Sequence, residues 1–333
     1  MPETDATGAG LWAMAHLGTP MAIRVAATLR IADHIVAGRH SAAELAEATG
    51  THPDALDRLL RYLAARRVLD RTEEGRYSLA PKGDALRDDH PAKMRQMLDI
   101  ESAVGRAELA FVQLMHSVRT GRAAYPEQFG ADFWTDMSAD PERVASFDAR
   151  MSAHVPQRGE VIDGYDWGSL THLVDVGGGD GTLLGELLTA HPTLRATLVD
   201  QPDTAETARK NLAAAGVAER AEAIGGDFFA ELPAGADAYL LSLIIHDWDD
   251  ESSRAILRRC AEAAGPGGRV LVVEDLGADG ESPHTGMDLR MLVYYGGKER
   301  GLGELTELGT AAGLTVAAVH PAGALSIVEF TAG

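Results

Sequence analysis

The chain of 333 residues is poor in cysteine, aromatic residues and basic residues. Its single cysteine, Cys260, excludes an intramolecular disulfide framework and a zinc site built from several cysteines. The 30 Lys and Arg residues face 50 Asp and Glu residues, and the net charge of −20 argues against binding to nucleic acid or an anionic membrane, because such binding depends on basic side chains. No apolar run is long enough to span a bilayer, and the acidic N-terminus lacks the features of a signal peptide. These absences predict a soluble cytoplasmic protein.

Hydrophobic residues nevertheless make up 45% of the chain, which predicts a packed core. At roughly 150 residues per domain, the length predicts two domains. The pattern is helical up to residue 166, and short apolar strands alternate with helices from residue 173 onward. We therefore expect a helical N-terminal part and an α/β C-terminal part.

The N-terminal part has the pattern of a winged helix-turn-helix. Residues 21–38 are predicted to form an amphipathic helix, Ser41 and Glu44 have the spacing of a capping box, and residues 53–66 are predicted to form a further helix. Residues 68–79 have the pattern of a β-hairpin. Arginines on the last helix would permit DNA binding, but the net charge and the lack of base-reading Asn or Gln on it favour a packing or dimerisation unit.

The C-terminal part has the pattern of βαβ units, which predicts a mostly parallel sheet closed by an antiparallel hairpin. In such sheets, ligands bind at the carboxyl ends of the strands. The predicted strands are 172–176, 196–200, 221–224, 238–245 and 269–274, the helices between them are 182–191, 204–215 and 251–264, and the closing hairpin is 314–320 with 325–330.

The strongest motif runs from the first of these strands into a glycine turn and a helix. Asp175 is followed by Gly177, Gly179 and Gly181, which gives the form G-x-G-x-G rather than the dinucleotide form G-x-G-x-x-G. This form suits S-adenosylmethionine, which has no phosphates. The bare backbone lets the methionine portion lie close, and the N-terminus of the helix faces its carboxylate.

Further positions at the same sheet edge support an adenosyl ligand. Asp200 ends the second strand, where a carboxylate accepts hydrogen bonds from both ribose hydroxyls. Asp227 and Phe228 follow the third strand, where a carboxylate accepts the adenine amino group and a ring stacks on the base.

A histidine at the end of the fourth strand is the candidate for proton transfer. His246 is predicted to lie at the same sheet edge as the cofactor, and imidazole accepts protons near neutral pH. Glu274 ends the fifth strand and Glu299 precedes the last helix, so both are candidates to orient the imidazole.

The acidic run Asp247, Asp249 and Asp250 resembles a cluster of metal ligands. Its spacing instead fits the start of a helix, where carboxylates cap the chain and favour the helix dipole. A Mg²⁺ site would need clustered oxygen ligands. We therefore expect that the protein uses no metal.

Together these motifs resemble the S-adenosylmethionine-dependent small-molecule O-methyltransferases of the plant caffeate and bacterial polyketide type. The resemblance covers nearly the whole chain, and parts of it are most similar to actinobacterial members that methylate naphthoic acids in antibiotic pathways. The residues that carry it are 174–181, 226–229, 246–251, 265–268, 287–292 and 297–300, together with 19–34 and 133–134.

The resemblance implies a Rossmann-like class I methyltransferase sheet with an N-terminal winged-helix dimerisation domain. We place that dimerisation domain at residues 1–90, a helical region that lines the substrate cleft at 91–165, and the cofactor-binding catalytic domain at 166–333. It also implies a homodimer, His246 as the base with Glu274 and Glu299 beside it, and S-adenosylhomocysteine as a product. In the fourth strand, Ser242 stands where plant members usually have a lysine, and the resemblance implies that this position contacts the cofactor.

The implied acceptor is an aromatic small molecule, a hydroxynaphthoate or another polyketide-derived phenol, held between the domains. Two alternatives stay open: a relative that binds the cofactor but catalyses decarboxylation or hydroxylation, and a winged-helix regulator that senses an adenosyl ligand. The intact His246 and both glutamates argue against the first. The residues predicted to line the cleft are Phe133, Trp134, Met137, Met151, His154, Asp247, Met287, Asp288, Tyr294 and Tyr295.

Overall fold

The computed structural model describes residues 4–153, 158–282 and 284–333. Contacts between Cα atoms divide the chain into two compact units, Met1–Leu109 and Ala110–Gly333, and each unit has its own hydrophobic core. A 3₁₀ helix, Glu108–Gln113, spans the division. Within the described ranges, no helix combines the length and the apolar character that crossing a membrane would require.

The first unit consists of helices and one small hairpin. Leu45, Leu60 and Tyr77 are almost fully buried in its core. The predicted capping box is present, since Glu44 N donates to Ser41 Oγ and Ser41 N donates to Glu44 Oε2, and the two strands pair antiparallel. The predicted winged-helix pattern is therefore confirmed. The elements are α1 (Thr4–Ala15), α2 (Gly18–Thr28), α3 (Ile31–Val36), α4 (Ala42–Thr49), α5 (Pro53–Ala65), β1 (Leu69–Arg71), β2 (Tyr77–Leu79), α6 (Pro81–Asp84), α7 (Met94–Leu98) and α8 (Ala103–Ala107).

The single helix predicted over residues 21–38 is wrong, because the structure has two helices there. Arg30 takes a left-handed conformation with a φ of 52° and separates α2 from α3. The break directs Ile31 and Ile35 of α3 into the same core as Ala27 of α2. Both helices keep an apolar face, so the periodicity of the sequence does not reveal the break.

The second unit is built on a mixed sheet of seven strands, namely β3 (His172–Val176), β4 (Arg195–Asp200), β5 (Ala221–Gly225), β6 (Ala238–Ser242), β7 (Arg269–Glu274), β8 (Leu314–Ala322) and β9 (Leu325–Ala332). Their order in the sheet is β5-β4-β3-β6-β7-β9-β8. The strands from β5 to β7 are parallel and β8 and β9 form an antiparallel hairpin, as predicted, and β9 also pairs antiparallel with β7. The helices are α9 (Leu114–Thr120), α10 (Tyr125–Phe129), α11 (Phe133–Ser138), α12 (Pro141–Ala153), α13 (Arg158–Asp163), α14 (Thr182–Ala190), α15 (Pro202–Ala214), α16 (Asp250–Ala264), α17 (Thr285–Tyr294) and α18 (Leu302–Ala311), with 3₁₀ turns at Trp167–Ser169 and Ile245–Asp247.

The core of this unit covers both faces of the sheet. Leu173 and Leu240 pack on one face, and Val174 and Tyr239 pack on the other, all fully buried. Strands buried on both faces appear in a sequence as continuous apolar runs, which is the pattern of parallel sheets. The loops at the carboxyl ends of β3, β4, β6 and β7 are therefore held on a rigid base.

The fourth strand of the prediction ends earlier than expected. β6 ends at Ser242 rather than at residue 245, because Leu243 has a φ of 56° and turns the chain away from the sheet. The next residues form a 3₁₀ turn in which Ile245 N and His246 N both donate to Glu274 Oε1. A carboxylate at the end of β7 thus replaces the ladder partners that a continued strand would have had.

The start of α18 has an unusual cap. Gly301 has no side chain to cap the helix, and Asp279 from the preceding loop takes that role, since Gly303 N and Glu304 N donate to Asp279 Oδ1 at 2.7 and 3.3 Å. A Cβ on Gly301 would lie 2.4 Å from the same oxygen. Glycine at this position therefore leaves room for the carboxylate.

Candidate active site

The glycine turn after β3 forms an open cradle. Gly177, Gly179 and Gly181 have φ values of 74°, 59° and 76°, which favour glycine. A Cβ on Gly177 would lie 2.6 Å from Ile244 Cδ1, so the turn packs closely against the loop after β6. At Gly179, by contrast, no described atom lies within 4 Å of a Cβ position. The glycine turn therefore packs closely against Ile244 at Gly177 and leaves open space at Gly179.

Asp175 lies beneath this cradle. Its side chain is almost fully buried, and its Oδ2 atom has no hydrogen-bond partner among the described residues. Burial, with a contribution from the charge of Asp200, raises the pKa of Asp175 to about 7. A buried carboxylate without a partner is expensive unless a ligand or a proton satisfies it. The site therefore suits a ligand that brings positive charge or hydrogen-bond donors.

Asp200, at the end of β4, is held in place by two backbone groups. Gly179 N donates to its Oδ2 at 2.9 Å, and Gln201 N donates to its Oδ1 at 2.7 Å. Burial raises the pKa of Asp200 in spite of these hydrogen bonds. Each carboxylate oxygen keeps a further lone pair, so the group can accept hydrogen bonds from a diol.

Asp148 on α12 is an acidic residue that the sequence analysis missed. Burial and the charges of Asp180 and Asp200 raise its pKa to about 6. Its carboxylate therefore belongs to the same acidic surroundings as the glycine turn. The sequence carries no signal for it, because Asp148 stands in a helical stretch without a recognisable motif.

The predicted adenine contacts lie next to the cradle. A Cβ on Gly177 would come within 3.6 Å of Phe228 Cε1, and the Phe228 ring packs edge-on against Trp248. Asp227 is exposed and accepts a hydrogen bond from Phe229 N at 2.9 Å. Ser242 is partly exposed at the end of β6.

His246 lies in the 3₁₀ turn among three carboxylates. Its Nδ1 is 3.3 Å from Glu299 Oε1 and 3.5 Å from Glu274 Oε2, and its Nε2 is 3.6 Å from Asp247 Oδ1. Only 18% of the imidazole side chain is exposed. The sequence placed both glutamates beside His246, and the structure brings them to one ring nitrogen. The other nitrogen is left facing Asp247.

The charges of this cluster oppose one another. Burial disfavours the imidazolium, but Glu274, Asp247 and Glu299 outweigh it and raise the pKa of His246 to about 10. Burial raises the pKa of Asp247 to about 7, although the positive charge of His246 acts against this. Burial also raises the pKa of Glu274. Because these groups interact so closely, they take up and release protons as a unit.

We expect the imidazole of His246 in the ligand-free protein to stay protonated well above pH 6.5. A histidine pKa that is raised by folding stabilises the native state fully below pH 6.5, and this contribution is lost as the pH rises through about 10. NMR titration of the His246 ring, assigned by comparison with His246→Ala, measures the midpoint. A midpoint at or below 6.5 would contradict the electrostatic assignment.

Aromatic side chains form a continuous stack near the histidine turn. Trp134 stacks on Tyr295 with ring centroids 5.3 Å apart, and it stacks on Trp248 at 6.3 Å. Phe133 meets Tyr295 edge-on at 4.8 Å and is almost fully buried. Trp248 was not among the predicted contact residues, although it stands in the same sequence motif as His246.

The other predicted cleft residues are more scattered. Met137 and Tyr294 are buried, Met151 is exposed, and Met287 is partly buried. Asp288 Oδ1 accepts a hydrogen bond from Glu299 N at 3.0 Å, so it contacts the segment beside His246. His154 lies outside the described residues.

Asp249 and Asp250 of the acidic run begin a helix, as predicted, whereas the same prediction is wrong for Asp247, which lies in the preceding 3₁₀ turn and faces His246 Nε2. Ser252 N donates to Asp249 Oδ1 at 2.8 Å, so Asp249 is the N-cap of α16, and Asp250 is the first residue of that helix. Across the described part of the chain, no group of three or more His, Cys, Asp or Glu side chains has an arrangement that would hold a metal ion.

Comparisons with known proteins agree with this geometry. Residues 111–315 match a family described as an O-methyltransferase domain, and residues 13–89 match an O-methyltransferase dimerisation domain. The chain is 55% identical over 324 residues to a 2,7-dihydroxy-5-methyl-1-naphthoate 7-O-methyltransferase from Streptomyces carzinostaticus, with 97% of each chain covered.

Two further similarities are informative. Aclacinomycin 10-hydroxylase RdmB from Streptomyces purpurascens is 44% identical, with 96% of this chain and 89% of that protein covered. A solved structure of the O-methyltransferase NcsB1 from neocarzinostatin biosynthesis, in complex with S-adenosylmethionine and 2-hydroxy-5-methyl naphthoic acid, matches with a TM-score of 0.90. It is 54% identical, and the match covers 97% of this chain and 98% of that one.

Proposed function

The chain belongs to the family of S-adenosylmethionine-dependent O-methyltransferases, and from this premise we propose that it methylates a phenolic hydroxyl of a hydroxynaphthoate or a related polyketide-derived aromatic molecule. The observation that carries the proposal is His246, whose Nδ1 lies beside two buried glutamates at the ligand edge of the sheet. A naphthoate appears in the name of the similar Streptomyces carzinostaticus enzyme, and a naphthoic acid is bound in the similar NcsB1 structure, which supports this acceptor class.

The residues around the glycine turn fit S-adenosylmethionine. The methionine portion carries positive charge on its ammonium and sulfonium groups. It suits the open backbone at Gly179 and the Oδ2 atom of Asp175, which has no hydrogen-bond partner in the part of the chain that the structure describes. Asp200 is assigned to the ribose hydroxyls, and Asp227 and Phe228 are assigned to the adenine. Ser242 is assigned as a further contact. When bound, this cofactor supplies the methyl group and leaves as S-adenosylhomocysteine.

His246 is assigned as the proton acceptor for the phenol. Its pKa falls when a positive charge binds nearby, because like charges disfavour the imidazolium. The neutral ring then accepts the phenolic proton through Nε2 as the hydroxyl oxygen gains the methyl group. Glu274 and Glu299 hold Nδ1 and stabilise the imidazolium that forms. No metal is assigned to this reaction.

The aromatic acceptor is assigned to the side of the site where the ring stack lies. Flat rings such as Trp134 and Tyr295 offer stacking surface for a naphthalene ring. Asp247 faces Nε2 of His246 and is therefore placed to accept a hydrogen bond from a substituent next to the reacting hydroxyl. The remaining cleft residues are Phe133, Met137, Met151, His154, Met287, Asp288 and Tyr294.

Product identification tests this function directly. The protein is incubated with labelled S-adenosylmethionine and a panel of hydroxynaphthoates, hydroxybenzoates and larger polyketides, with and without EDTA. We expect a methyl ether of a naphthoate, formed at the same rate in EDTA. Hydroxylation of the acceptor is a second candidate function, because one of the similar proteins is a hydroxylase. A product that gains oxygen instead of a methyl group would support hydroxylation. Activity that EDTA abolishes and Mg²⁺ restores would contradict the metal-free mechanism.

Replacement of Asp200 is expected to weaken cofactor binding. Asp200→Ala removes a charged acceptor from buried hydroxyls, which costs about 1–3 kcal/mol. Isothermal titration calorimetry measures this loss, and Asp203→Ala, an exposed residue in the first turn of α15, is the matched control with unchanged affinity. Equal affinities of Asp200→Ala and the unmodified protein would remove Asp200 from the ribose site.

The exposed face of α1 supports a homodimer. Leu11, Trp12 and Met14 of α1, together with Leu17 just after the helix, expose 64–85% of their surface, and an apolar patch of this kind marks a contact surface. The matched dimerisation family supports the same conclusion.

The proposed location of the protein is the cytoplasm. The buried thiol of Cys260, the single cysteine of the chain, is free, and free thiols fit a reducing compartment.

Charges on the exposed face of α1 are expected to separate the protomers. The double variant Trp12→Glu with Met14→Glu should be monomeric at micromolar concentration, because paired carboxylates cannot be buried against a second copy without large desolvation costs. Light scattering gives the mass. Val319→Glu, on an exposed position of β8, is the control that stays dimeric. A dimer of the double variant would place the interface elsewhere.

A further inference from the structure

The segment 296–300 lies directly against the turn that carries His246. Lys298 N donates to His246 O at 2.9 Å, and a Cβ on Gly297 would lie only 2.2 Å from that same oxygen. Glu299 then reaches the imidazole itself. The backbone and the side chain of His246 are thus both contacted by one short stretch of chain.

Arg300 completes this contact with its guanidinium group. Its side chain is almost fully buried, with Nη1 donating to Ile245 O at 2.9 Å and Nη2 donating to Trp248 O at 2.8 Å. These two carbonyl groups belong to the residue just before His246 and to the second residue after it. One planar group therefore holds the turn on both sides of the histidine.

Arg300 also forms an ion pair, but this pair does not account for its burial. Its carboxylate partner, Asp250, has a side chain that is 63% exposed, and ion pairs with exposed partners contribute little to stability. Nη1 and Nη2 donate to the carbonyl groups of Ile245 and Trp248, and Nη1 also donates to Lys298 O at 3.2 Å. Ser253 Oγ also lies 3.3 Å from Ile245 O and 3.2 Å from Trp248 O, but its single O–H donates to one of them at a time. The guanidinium is a rigid fork that donates to both carbonyl groups at once, whereas lysine is a single point of charge.

We infer that Arg300 is a positioning residue for His246: its guanidinium fixes the carbonyl groups of Ile245 and Trp248, and thereby fixes where the imidazole stands. This inference rests on the proposed role of His246 as proton acceptor. When a catalytic group is displaced by a small distance, the rate of the chemical step falls strongly, but the affinity for the substrates stays the same. Arg300 therefore acts on the rate of transfer and not on the affinity for either substrate.

The test compares Arg300→Lys with Arg254→Lys, a matched control at an exposed arginine of α16. We expect Arg300→Lys to lower kcat at pH 7 on the order of 10- to 100-fold, with KM for the acceptor and Kd for the cofactor within about twofold of normal. The loss should shrink as the pH approaches the pKa of the acceptor phenol, because the phenolate then needs no base. A loss that is equal at every pH, or one that appears mainly in KM, would overturn the inference.

A double-mutant cycle separates this inference from the proposed function. In a His246→Ala background, Arg300→Lys should have no further effect on kcat. An additional loss there as large as in the unmodified protein would overturn the role of Arg300. A His246→Ala protein with normal kcat would instead refute the proton-acceptor role on which the inference rests.

Two more variants keep the test decisive. Asp250→Asn removes the ion pair but leaves the carbonyl contacts, so kcat should stay within about twofold of normal. A loss in Asp250→Asn that equals the loss in Arg300→Lys would assign the effect to the ion pair and overturn the inference. If Arg300→Lys does not fold by circular dichroism, Arg300→Gln, which retains one amide donor, is measured in the same way and against the same outcomes.

Discussion

His246→Ala is expected to lower kcat by about 10²–10⁴, the range for a lost general base, while the affinity for S-adenosylmethionine stays unchanged. The assigned cofactor contacts come from the glycine turn, Asp200 and Asp227, and none of them passes through the imidazole. Initial rates at saturating substrates give kcat, and calorimetry gives the cofactor Kd. The rate of the variant should recover as the pH approaches the pKa of the acceptor phenol, because the nucleophile then ionises without help.

A control histidine separates this effect from a general loss of packing. His320→Ala removes another imidazole that lies beside a carboxylate, Glu329, at 3.0 Å, and its kcat should be normal. A His246→Ala protein that folds, binds both substrates and turns over normally at pH 7 would make His246 structural. A lower melting temperature together with weaker binding of both substrates would lead to the same conclusion.

Glu274→Gln and Glu299→Gln are each expected to lower kcat by about 10²-fold, less than the loss of the base, because the other glutamate still holds Nδ1. The two carboxylates differ in one respect. Glu274 Oε1 also accepts hydrogen bonds from the backbone of Ile245 and His246, whereas the contact of Glu299 is to the imidazole ring. Glutamine keeps an acceptor oxygen, so Glu274→Gln preserves the turn and removes only the charge.

Alanine at the same positions shows that difference. Glu274→Ala leaves two buried N–H groups without an acceptor and should lower the melting temperature as well as kcat, whereas Glu299→Ala should lower kcat with little change in melting temperature. Thermal denaturation and initial rates provide both numbers. Equal melting temperatures for the two alanine variants would refute the role of Glu274 in holding the turn.

The sequence was sufficient for those parts of the fold that depend on local pattern. The strands β3, β4, β6 and β7 are short and mostly buried. The residues that follow their carboxyl ends share one edge of the sheet, so His246 and Glu274 could be placed near one another without coordinates. The glycine motif adds a backbone requirement that few other turns share. Both kinds of signal lie within a few consecutive residues.

Features that depend on distant contacts were not predictable in this way. The left-handed conformations of Arg30 and Leu243 break a helix and shorten a strand, yet neither residue type favours that conformation. Asp148 joins the acidic surroundings of the glycine turn only through tertiary packing. The carbonyl contacts of Arg300 likewise join two segments about 50 residues apart, a separation that no local periodicity encodes.

The cap of α18 restricts how this part of the chain can change over evolutionary time. Serine at position 301 would supply an ordinary cap, but its Cβ would lie 2.4 Å from Asp279 Oδ1 and also 2.6 Å from Asp279 N and 2.8 Å from Ala278 C. Loss of Asp279 first would leave Gly303 N and Glu304 N without their acceptor. Exchange of Asp279 for a smaller residue would relieve only the side-chain collision, because the backbone atoms Asp279 N and Ala278 C would still lie within 3.0 Å of the Cβ at position 301. We therefore expect glycine at position 301 to be retained for as long as residues 278 and 279 keep this backbone path.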